Sequence, residues 1–195
     1  MKKRDIVVYI IFILTFTISF FIDKQFLSFV ALIKNPFFDI IMEWITHFGS
    51  VFVILIIMTS LFLWEERKRE WIPTLWASFL TAILLCVLLK LIIARPRPTS
   101  EVIYPLFNLL IYSFPSLHAT VSFAAIPILD KEFPMFKLFW ILFAVLVAFS
   151  RVYFEFHYLS DVIGGALLGY FIGWLFVYLE EKHKIFKKLK WKSRS

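Results

Sequence analysis

The fold class follows from residues 71–98, which read WIPTLWASFLTAILLCVLLKLIIARPRP. Residues 71–89 carry no charge, and as an α-helix they would be about 28 Å long, close to the hydrocarbon thickness of a bilayer. The proline of this run, Pro73, falls in the first helical turn, where its missing N–H is tolerated. Three cations follow, at Lys90, Arg95 and Arg97. The segment therefore predicts a membrane-spanning helix that ends in a basic loop.

The composition of the whole chain agrees with a membrane protein. Of 195 residues, 61% are hydrophobic, 20% are aromatic and only 18% are charged. A soluble domain ordinarily has about 25% charged residues. A water-soluble globular protein and a disordered chain are therefore both excluded. With a single cysteine, Cys86, the chain can form neither an internal disulfide nor a cysteine-based metal site.

Long apolar runs recur on both sides of this segment and predict an all-α fold. We predict a single domain, residues 1–195, that is an integral membrane bundle of six transmembrane helices with a short interfacial helix on the outer face. β-Strands are not expected, because the runs show no alternation of apolar and polar residues. No small-residue cleavage site follows the first run, so we interpret it as a retained helix rather than a signal peptide. The predicted spans are residues 6–22, 48–64, 71–89, 116–133, 134–151 and 162–179.

The basic residues predict the orientation in the membrane. With the N-terminus inside, 15 of the 21 Lys and Arg residues lie on the cytoplasmic side. Both termini are then cytoplasmic, and the short loops favour a multi-pass protein of a prokaryotic cytoplasmic (inner) membrane. The basic tail, residues 181–195, is expected to lie on the anionic inner leaflet. Nucleic-acid binding would need the same charges, but membrane binding explains them better, so we expect no nucleic-acid partner.

Residues 35–48 predict an interfacial helix that begins near Pro36. Asp39, Glu43 and His47 follow one another at four-residue spacing and so lie on one helix face. These side chains could form a metal site or a solvated polar face. We favour the solvated face, because any amphipathic helix has the same spacing.

Ionisable residues cluster at the outer ends of the third to sixth spans. Such residues cost about 2.5–3.5 kcal/mol each at membrane depth, so they are retained where they line a polar cavity or pair with one another. Bundling of the four spans would bring them into one outward-facing pocket. The cluster comprises Lys90, Arg95, Arg97, His118, Arg151, His157 and Asp161.

This set of side chains fits phosphate chemistry. Arginine forks match a tetrahedral oxyanion, and Ser116 stands at a predicted helix start, where N–H groups and the helix dipole attract an anion. One histidine can attack phosphorus while the other protonates the leaving oxygen. Asp161, one turn after His157, can fix the tautomer of its ring. No carboxylate cluster or His/Cys set is available for a divalent metal, so we expect the Lys and Arg side chains to bind the phosphate charge in its place.

Each of these residues alone has an ordinary structural explanation. Lys90 could be a lysine that snorkels from the end of a span. Pro115-Ser116 could be a helix cap, and His157 with Asp161 could be a surface pair. Their joint occurrence, in order and on one membrane face, favours the functional interpretation.

The order and spacing of these residues resemble the three signature motifs of the type 2 phosphatidic acid phosphatase (PAP2) superfamily. The resemblance covers residues 90–161 and, through the six-helix layout, extends over the whole chain. The matching motifs are Lys90-x6-Arg97-Pro98, Pro115-Ser116-Leu117-His118 and Ser150-Arg151-x5-His157-x3-Asp161.

The resemblance implies a role for each matching residue. His157 would be the nucleophile that forms a phosphohistidine, and Asp161 would orient it. His118 would be the general acid for the leaving group and then the base for water. The family needs no metal, and no cofactor is expected. The phosphate oxygens would be held by Lys90, Arg97, Ser116, Arg151 and the backbone amides of Leu117 and His118.

The second motif departs from the family pattern, which has glycine at the position of Leu117. Leucine retains the backbone N–H, so oxyanion binding is preserved if φ of this residue is negative. Its side chain could narrow the pocket or contact the lipid chain, which bears on the range of substrates.

The resemblance implies a membrane lipid phosphatase that hydrolyses a phosphate monoester or diphosphate at the periplasmic or exterior face. Bacterial members suggest undecaprenyl diphosphate, phosphatidylglycerol phosphate or the 1-phosphate of lipid A as substrate. The main alternative is a lipid phosphotransferase with an alcohol acceptor. A channel or transporter leaves the ordered histidines unexplained, and a soluble haloperoxidase is excluded by the hydrophobicity. The expected partners are the lipid phosphate and membrane lipids, and the sequence indicates no obligate protein partner.

Glycines recur every four residues in the last span, at Gly165, Gly169 and Gly173. A stripe of small residues lets two membrane helices approach closely. We expect it to pack against a neighbouring span and to hold the turn with His157 and Asp161 rigidly against the pocket.

Overall fold

The computed structural model describes residues 3–50, 60, 64, 71–99 and 112–186, and in the first two helices it describes the side chains of residues 12–47. Most of the predicted span 48–64 and residues 187–195 of the basic tail lie outside these ranges. The described chain is helical apart from short loops and one isolated β-bridge. The helices are α1 (Lys3–Ile33), α2 (Pro36–Ser50), α3 (Ile72–Ile93), α4 (Leu117–Glu132), α5 (Lys137–Tyr153) and α6 (Leu159–His183), with a 3-10 turn at Pro134–Phe136 before α5.

The all-helical, membrane-spanning fold is confirmed. By length and composition, four helical segments can cross a bilayer: Phe12–Ile33, Ile72–Ile93, Pro134–Tyr153 and Leu159–His183. The helix α4, predicted as the fourth span, has 16 residues and is therefore only about 24 Å long. The total of six spans thus stays a prediction.

The predicted first span, residues 6–22, lies within α1, and the helix is longer than that span. It continues past residue 22 to Ile33 and includes the charged residue Asp23. Asp23 is only 3% exposed, and its carboxylate forms an ion pair with Arg95 at 2.7 Å. A charge that is paired in this way no longer has to lie in water, so the helix does not end there.

The interfacial segment forms a helix where it was predicted. Asn35 caps α2, because its side-chain Oδ1 accepts the N–H groups of Phe37 and Phe38, each at 3.1 Å. The helix packs on α5, where the Thr46 hydroxyl donates to Ser150 Oγ at 2.6 Å. Asp39, from the polar stripe, accepts a hydrogen bond from the Tyr153 hydroxyl at 2.7 Å.

The polar stripe of α2 provides no ligand cluster in the structure. Glu43 and His47 are both exposed, and His47 Nδ1 lies 2.9 Å from the backbone carbonyl oxygen of Glu43. Among the described residues, no three His, Cys, Asp or Glu side chains are grouped so that they could hold a metal ion. The stripe is therefore a polar face, partly solvated and partly hydrogen-bonded to α5.

The core is centred on α4 and α6, which form the most extensive helix pair. Their close approach follows from the glycine stripe. A Cβ on Gly165 would lie 2.6 Å from the carbonyl oxygen of Ser116, and one on Gly169 would collide with the carbonyl oxygen of Thr120. The α3 side chains Leu75 and Phe79, both fully buried, pack against this pair.

The two ends of the bundle carry different groups. The residues of the three motifs lie at the end formed by the C-termini of α3 and α5 and the N-termini of α4 and α6. At the opposite end, Lys131 forms an ion pair with Glu181 and lies 5.6 Å from the ring centroid of Trp71. The motif residues are therefore all on one side of the protein.

Candidate active site

The first motif is held against the segment that precedes the second. Ala94 ends α3 in the left-handed conformation, with φ 49°, and turns the chain into the Arg-Pro loop. Pro96 then pairs with Tyr112 in the isolated antiparallel bridge, and the buried Ser113 donates its N–H to the Arg95 carbonyl at 2.8 Å. The Lys90 ammonium donates to the carbonyls of Tyr112 (2.7 Å) and Ser113 (3.2 Å). These bonds fix where Lys90 points.

The second motif forms a helix N-terminus. Ser116 has extended φ and ψ and is the N-cap of α4, and its N–H donates to the Asp161 carbonyl at 3.0 Å. Leu117 is the first helical residue and has negative φ, since the described residues with positive φ are Ala94, Glu155 and Lys184. Its N–H has no acceptor within the helix. The condition for oxyanion binding at this position is therefore met.

The side chain of Leu117 packs against the core formed by α3, α4 and α6. The residue is partly buried. The leucine that replaces the family's glycine thus contributes apolar packing beside the site.

The third motif is organised by a tight turn between α5 and α6. The Arg151 carbonyl accepts the N–H groups of Phe156 (3.0 Å) and His157 (3.2 Å), and Glu155 takes a positive φ of 56° to reverse the chain. The Arg151 guanidinium stacks 4.6 Å from the centroid of the Phe156 ring. The turn therefore keeps Arg151 and His157 side by side.

His157 is buried next to the carboxylate of Asp161. Its Nδ1 lies 3.7 Å from Asp161 Oδ2, and the two side chains are 3% and 0% exposed. This separation exceeds hydrogen-bond length. Burial lowers the pKa of His157 well below its ordinary value, and the nearby cations Lys90, Arg97 and Arg151 lower it further. His157 is therefore neutral near pH 7, as a nucleophile must be.

The remaining motif residues converge on the same place. His118 lies within electrostatic range of His157 and of three cations, Lys90, Arg97 and Arg151. Burial also lowers the pKa of Arg97, whereas the nearby Asp161 raises it. The structure thus brings together residues that are up to 71 positions apart, between 90 and 161.

Four buried polar atoms of the motifs have no hydrogen-bond partner within the described residues. Native proteins rarely leave buried polar atoms unsatisfied, and such atoms are concentrated where a ligand binds. The four atoms are Arg97 Nε, Ser116 Oγ, Arg151 Nε and His157 Nδ1. Two guanidinium groups, a hydroxyl and an imidazole are together suited to an oxyanion.

The sequence model of the PAP2 superfamily matches residues 71–185, which is more than half of the chain. The chain belongs to the PAP2 superfamily.

Two curated relatives of this PAP2 protein, each aligned over most of this chain, are named as phosphatases. An undecaprenyl-diphosphatase from Sulfolobus acidocaldarius is 37% identical over 75% of this chain and 73% of its own length. Phosphatidylglycerophosphatase B from Bacillus subtilis is 32% identical over 85% of this chain and 87% of its own. The crystal structure of a transmembrane PAP2 phosphatidylglycerolphosphate phosphatase from Bacillus subtilis superposes with a TM-score of 0.72. It is 29% identical and covers 91% of this chain and 98% of that one.

Arg95 binds two carboxylates in this PAP2 protein. Both ends of its guanidinium are bound to carboxylates, Nη1 to Asp161 Oδ1 and Nη2 to Asp23 Oδ2, each at 2.7 Å. Because both terminal nitrogens are bound to carboxylates, the guanidinium has no free pair of terminal nitrogens with which to bind a phosphate. Arg95 belongs to the ionisable cluster predicted from the sequence but not to the phosphate-binding residues that the resemblance implies, and in the structure it pairs with two carboxylates.

Sequence reasoning also missed two residues around this arginine. Asp23 and Ser160 are buried, and neither belongs to a motif that was recognised. The one available signal was the position of Asp23, a single carboxylate between two apolar stretches of the same helix. An unpaired charge at that depth would be costly, so it implied a partner.

Proposed function

We propose that this PAP2 protein is a membrane lipid phosphatase, which releases inorganic phosphate from a lipid phosphate monoester or diphosphate through a phosphohistidine. The observation that supports this most directly is the buried, neutral His157 among polar atoms that have no hydrogen-bond partner in the part of the chain that the structure describes. A tetrahedral phosphate would satisfy three of those atoms, Arg97 Nε, Ser116 Oγ and Arg151 Nε. The phosphate-binding groups are Lys90, Arg97, Ser116 Oγ, Arg151 and the backbone amides of Leu117 and His118.

In the first step, a ring nitrogen of His157 attacks phosphorus and the bond from phosphorus to the lipid oxygen breaks. His118 donates a proton to that oxygen, so the lipid leaves as an alcohol or a monophosphate. Asp161 accepts a hydrogen bond from Nδ1–H of His157, which keeps the proton on Nδ1 and leaves Nε2 as the nucleophile. A movement of about 1 Å brings the 3.7 Å separation into hydrogen-bond range, a tightening that is common when substrate binds.

In the second step, water attacks the phosphohistidine. His118, which is now neutral, takes a proton from the water as the phosphorus–nitrogen bond breaks. Inorganic phosphate is released and His157 is regenerated. The cations stabilise the charge on the equatorial oxygens in both transition states, so the chemistry requires no metal ion.

Hydrolysis is favoured over transfer to an alcohol. The two curated relatives described above are both named as phosphatases that act on a lipid, and each aligns with most of this chain. Undecaprenyl diphosphate and phosphatidylglycerol phosphate are therefore the first substrates to test, followed by the 1-phosphate of lipid A. The apolar side chains exposed on the helices suit a substrate that stays in the membrane.

We place the enzyme in the cytoplasmic membrane as one domain, residues 1–195, with six spans and both termini in the cytoplasm. The distribution of Lys and Arg supports this orientation. The site then faces the periplasm or the cell exterior. Residues 48–64 and the short helix α4 supply the two spans beyond the four that meet the length criterion.

The decisive experiment is phosphate release by the purified protein in detergent, with EDTA present throughout. The panel consists of undecaprenyl diphosphate, phosphatidylglycerol phosphate, lipid A and phosphatidic acid. We expect release from at least one lipid, unaffected by EDTA and abolished by His157→Ala. Loss of about four orders of magnitude or more is typical when a covalent nucleophile is removed.

Two outcomes would contradict the proposal. Activity that persists in His157→Ala would exclude this residue as nucleophile. Absence of free phosphate, together with a new phosphoester when an alcohol is added, would identify a phosphotransferase.

A further inference from the structure

We propose that Arg95 is a positioning residue for Asp161 and that Asp23 of α1 anchors Arg95, so that the first helix controls the reactivity of His157. This inference rests on the proposed function, because it assigns these residues to the same reaction. None of the three signature motifs contains Asp23.

The guanidinium of Arg95 bridges two buried carboxylates. One end donates to Asp161 Oδ1 and the other to Asp23 Oδ2, both at 2.7 Å. The two carboxylates are 0% and 3% exposed. Without a cation between them they would be two buried charges without a partner, which is costly.

Asp23 also binds the first turn of α6, which carries Asp161. Its Oδ1 accepts the N–H of Ser160 at 2.9 Å, and its Oδ2 accepts the hydroxyl of Ser160 at 2.5 Å. The Ser160 hydroxyl in turn accepts a hydrogen bond from Arg95 Nη1 at 2.6 Å. The helix α1 is thus joined to the loop after α3 and to the start of α6 by one hydrogen-bonded network, in which the carboxylates are buried and Arg95 is partly exposed.

The network fixes both oxygens of Asp161. Arg95 holds Oδ1, while Oδ2 accepts the N–H of Tyr158 at 2.8 Å. The same Oδ2 faces His157 Nδ1. A carboxylate bound at both oxygens cannot rotate, so it keeps one oxygen directed at the imidazole.

The position of Arg95 itself is determined by ring stacking. Its guanidinium carbon lies 4.2 Å from the ring centroid of Tyr158 and 5.3 Å from that of Phe20. The guanidinium binds the two carboxylates through two separate nitrogens, whereas lysine has a single nitrogen that would have to lie within hydrogen-bond range of both. Arg95→Lys therefore keeps the charge and removes the bridge.

The test is a double-mutant cycle on phosphate release by the full-length protein in detergent. We expect Arg95→Lys to lower kcat about tenfold with KM within about twofold, and Asp161→Asn to lower kcat about 100-fold. If Arg95 acts through Asp161, the double variant is no slower than Asp161→Asn, within about twofold. Asp23→Asn keeps the size of the side chain and an acceptor for Ser160. It should lower kcat in the wild-type protein but cause no further loss when combined with Asp161→Asn.

The matched control is Lys34→Gln. Lys34 forms an ion pair with Glu155 at the same end of the bundle, with both side chains about one-third exposed. We expect its kcat to stay within about twofold of wild type, because exposed ion pairs contribute little. Additive losses in the cycle, about 1,000-fold in the double variant, would show a merely structural role and overturn the inference.

A second readout needs no lipid substrate. The rate at which diethyl pyrocarbonate modifies His157, followed by mass spectrometry, reports the nucleophilicity of the imidazole. We expect both Arg95→Lys and Asp161→Asn to slow it, without a further decrease in the double variant. If Asp161→Asn slows modification and Arg95→Lys does not, the inference is wrong even when the protein is a phosphatase. If wild type releases no phosphate, the proposed function fails, and the modification rates still decide the role of Arg95.

Discussion

His157 is a neutral imidazole because of the groups that surround it. The side chain is buried, and three cations, Lys90, Arg97 and Arg151, act on it together. Both effects disfavour the protonated ring. The same cations that are proposed to bind phosphate therefore keep His157, the proposed nucleophile, unprotonated before a substrate binds.

The lowered pKa of His157 predicts a pH dependence of stability. In the unfolded chain this histidine takes up a proton near its ordinary pKa of about 6.5, whereas in the folded protein it stays neutral. The unfolded state thus binds more protons as the pH falls below about 6.5, and stability decreases by up to about 1.4 kcal/mol per pH unit. Above that pH, His157 does not make the stability depend on pH.

The measurement is the thermal midpoint of unfolding in detergent between about pH 7 and pH 5. We expect the midpoint of wild type to fall toward acid more steeply than that of His157→Asn. Parallel curves for the two proteins would contradict this prediction.

Leu117→Gly, which restores the family's residue, should destabilise this protein. The leucine packs against the core at the first residue of α4. Glycine loses that packing and gains backbone entropy in the unfolded state, a cost of about 1–3 kcal/mol. The thermal midpoint of Leu117→Gly should lie below that of Leu117→Met, a change that nearly conserves volume. An equal or higher midpoint for the glycine variant would show that the packing is unimportant.

At the level of helices, the site depends on the contact between α4 and α6. The helix α4 presents Ser116 and His118, and α6 carries Asp161 in its first turn. The glycine stripe allows the two backbones to touch. The distance between Ser116 on α4 and Asp161 on α6 is thus set by the close approach that the glycines allow.

Gly169→Ala should reduce stability and activity together. The added Cβ would collide with the carbonyl oxygen of Thr120, so the helices must separate or bend. Such overpacking costs about 1–3 kcal/mol. The readouts are the thermal midpoint and the rate of phosphate release.

The control for this variant is Phe171→Leu, because Phe171 lies on the same helix with its side chain 53% exposed. It should change neither quantity. An unchanged midpoint in Gly169→Ala would contradict the packing argument.

Over the whole molecule, the motif residues and the ion pairs between lysines and carboxylates at the opposite end of the bundle lie apart. The motif residues occupy one end of the bundle, whereas the other end carries the ion pairs Lys131–Glu181 and Lys137–Asp130. Asp23 connects the first helix to the end that carries the motif residues through its ion pair with Arg95. Distant parts of the sequence therefore complete a single site.

The proposed orientation can be tested with single cysteines. Lys34 follows α1 at the end of the bundle that carries the motif residues, and Lys184 follows α6 at the opposite end. Both side chains are exposed. The native Cys86 is fully buried, so it should give little background. A membrane-impermeant maleimide applied to intact cells should label Lys34→Cys, and Lys184→Cys only after permeabilisation. Labelling of both variants from outside, or of Lys184→Cys alone, would exclude the orientation.

The sequence was sufficient for the helical class and for the motif residues because both are local signals. Uncharged runs predicted the helices, and Pro73 in the first turn of α3 is found as expected. The ends of the helices were less predictable. The helix α1 extends past Asp23, since a charge ends a span only when it has no partner, and Arg95 lies 72 residues further along the chain.

By itself, the sequence determined that the chain is a helical membrane protein and which residues of the three motifs are candidates for its chemistry. Hydrophobic runs and fixed spacings can be recognised without knowing which residues contact one another in the fold. Only the tertiary structure decided that Arg95 binds Asp23 and Asp161 rather than the phosphate pocket. The physical reason is that the cost of a buried charge depends on its partner, and partners are chosen by packing across the whole bundle.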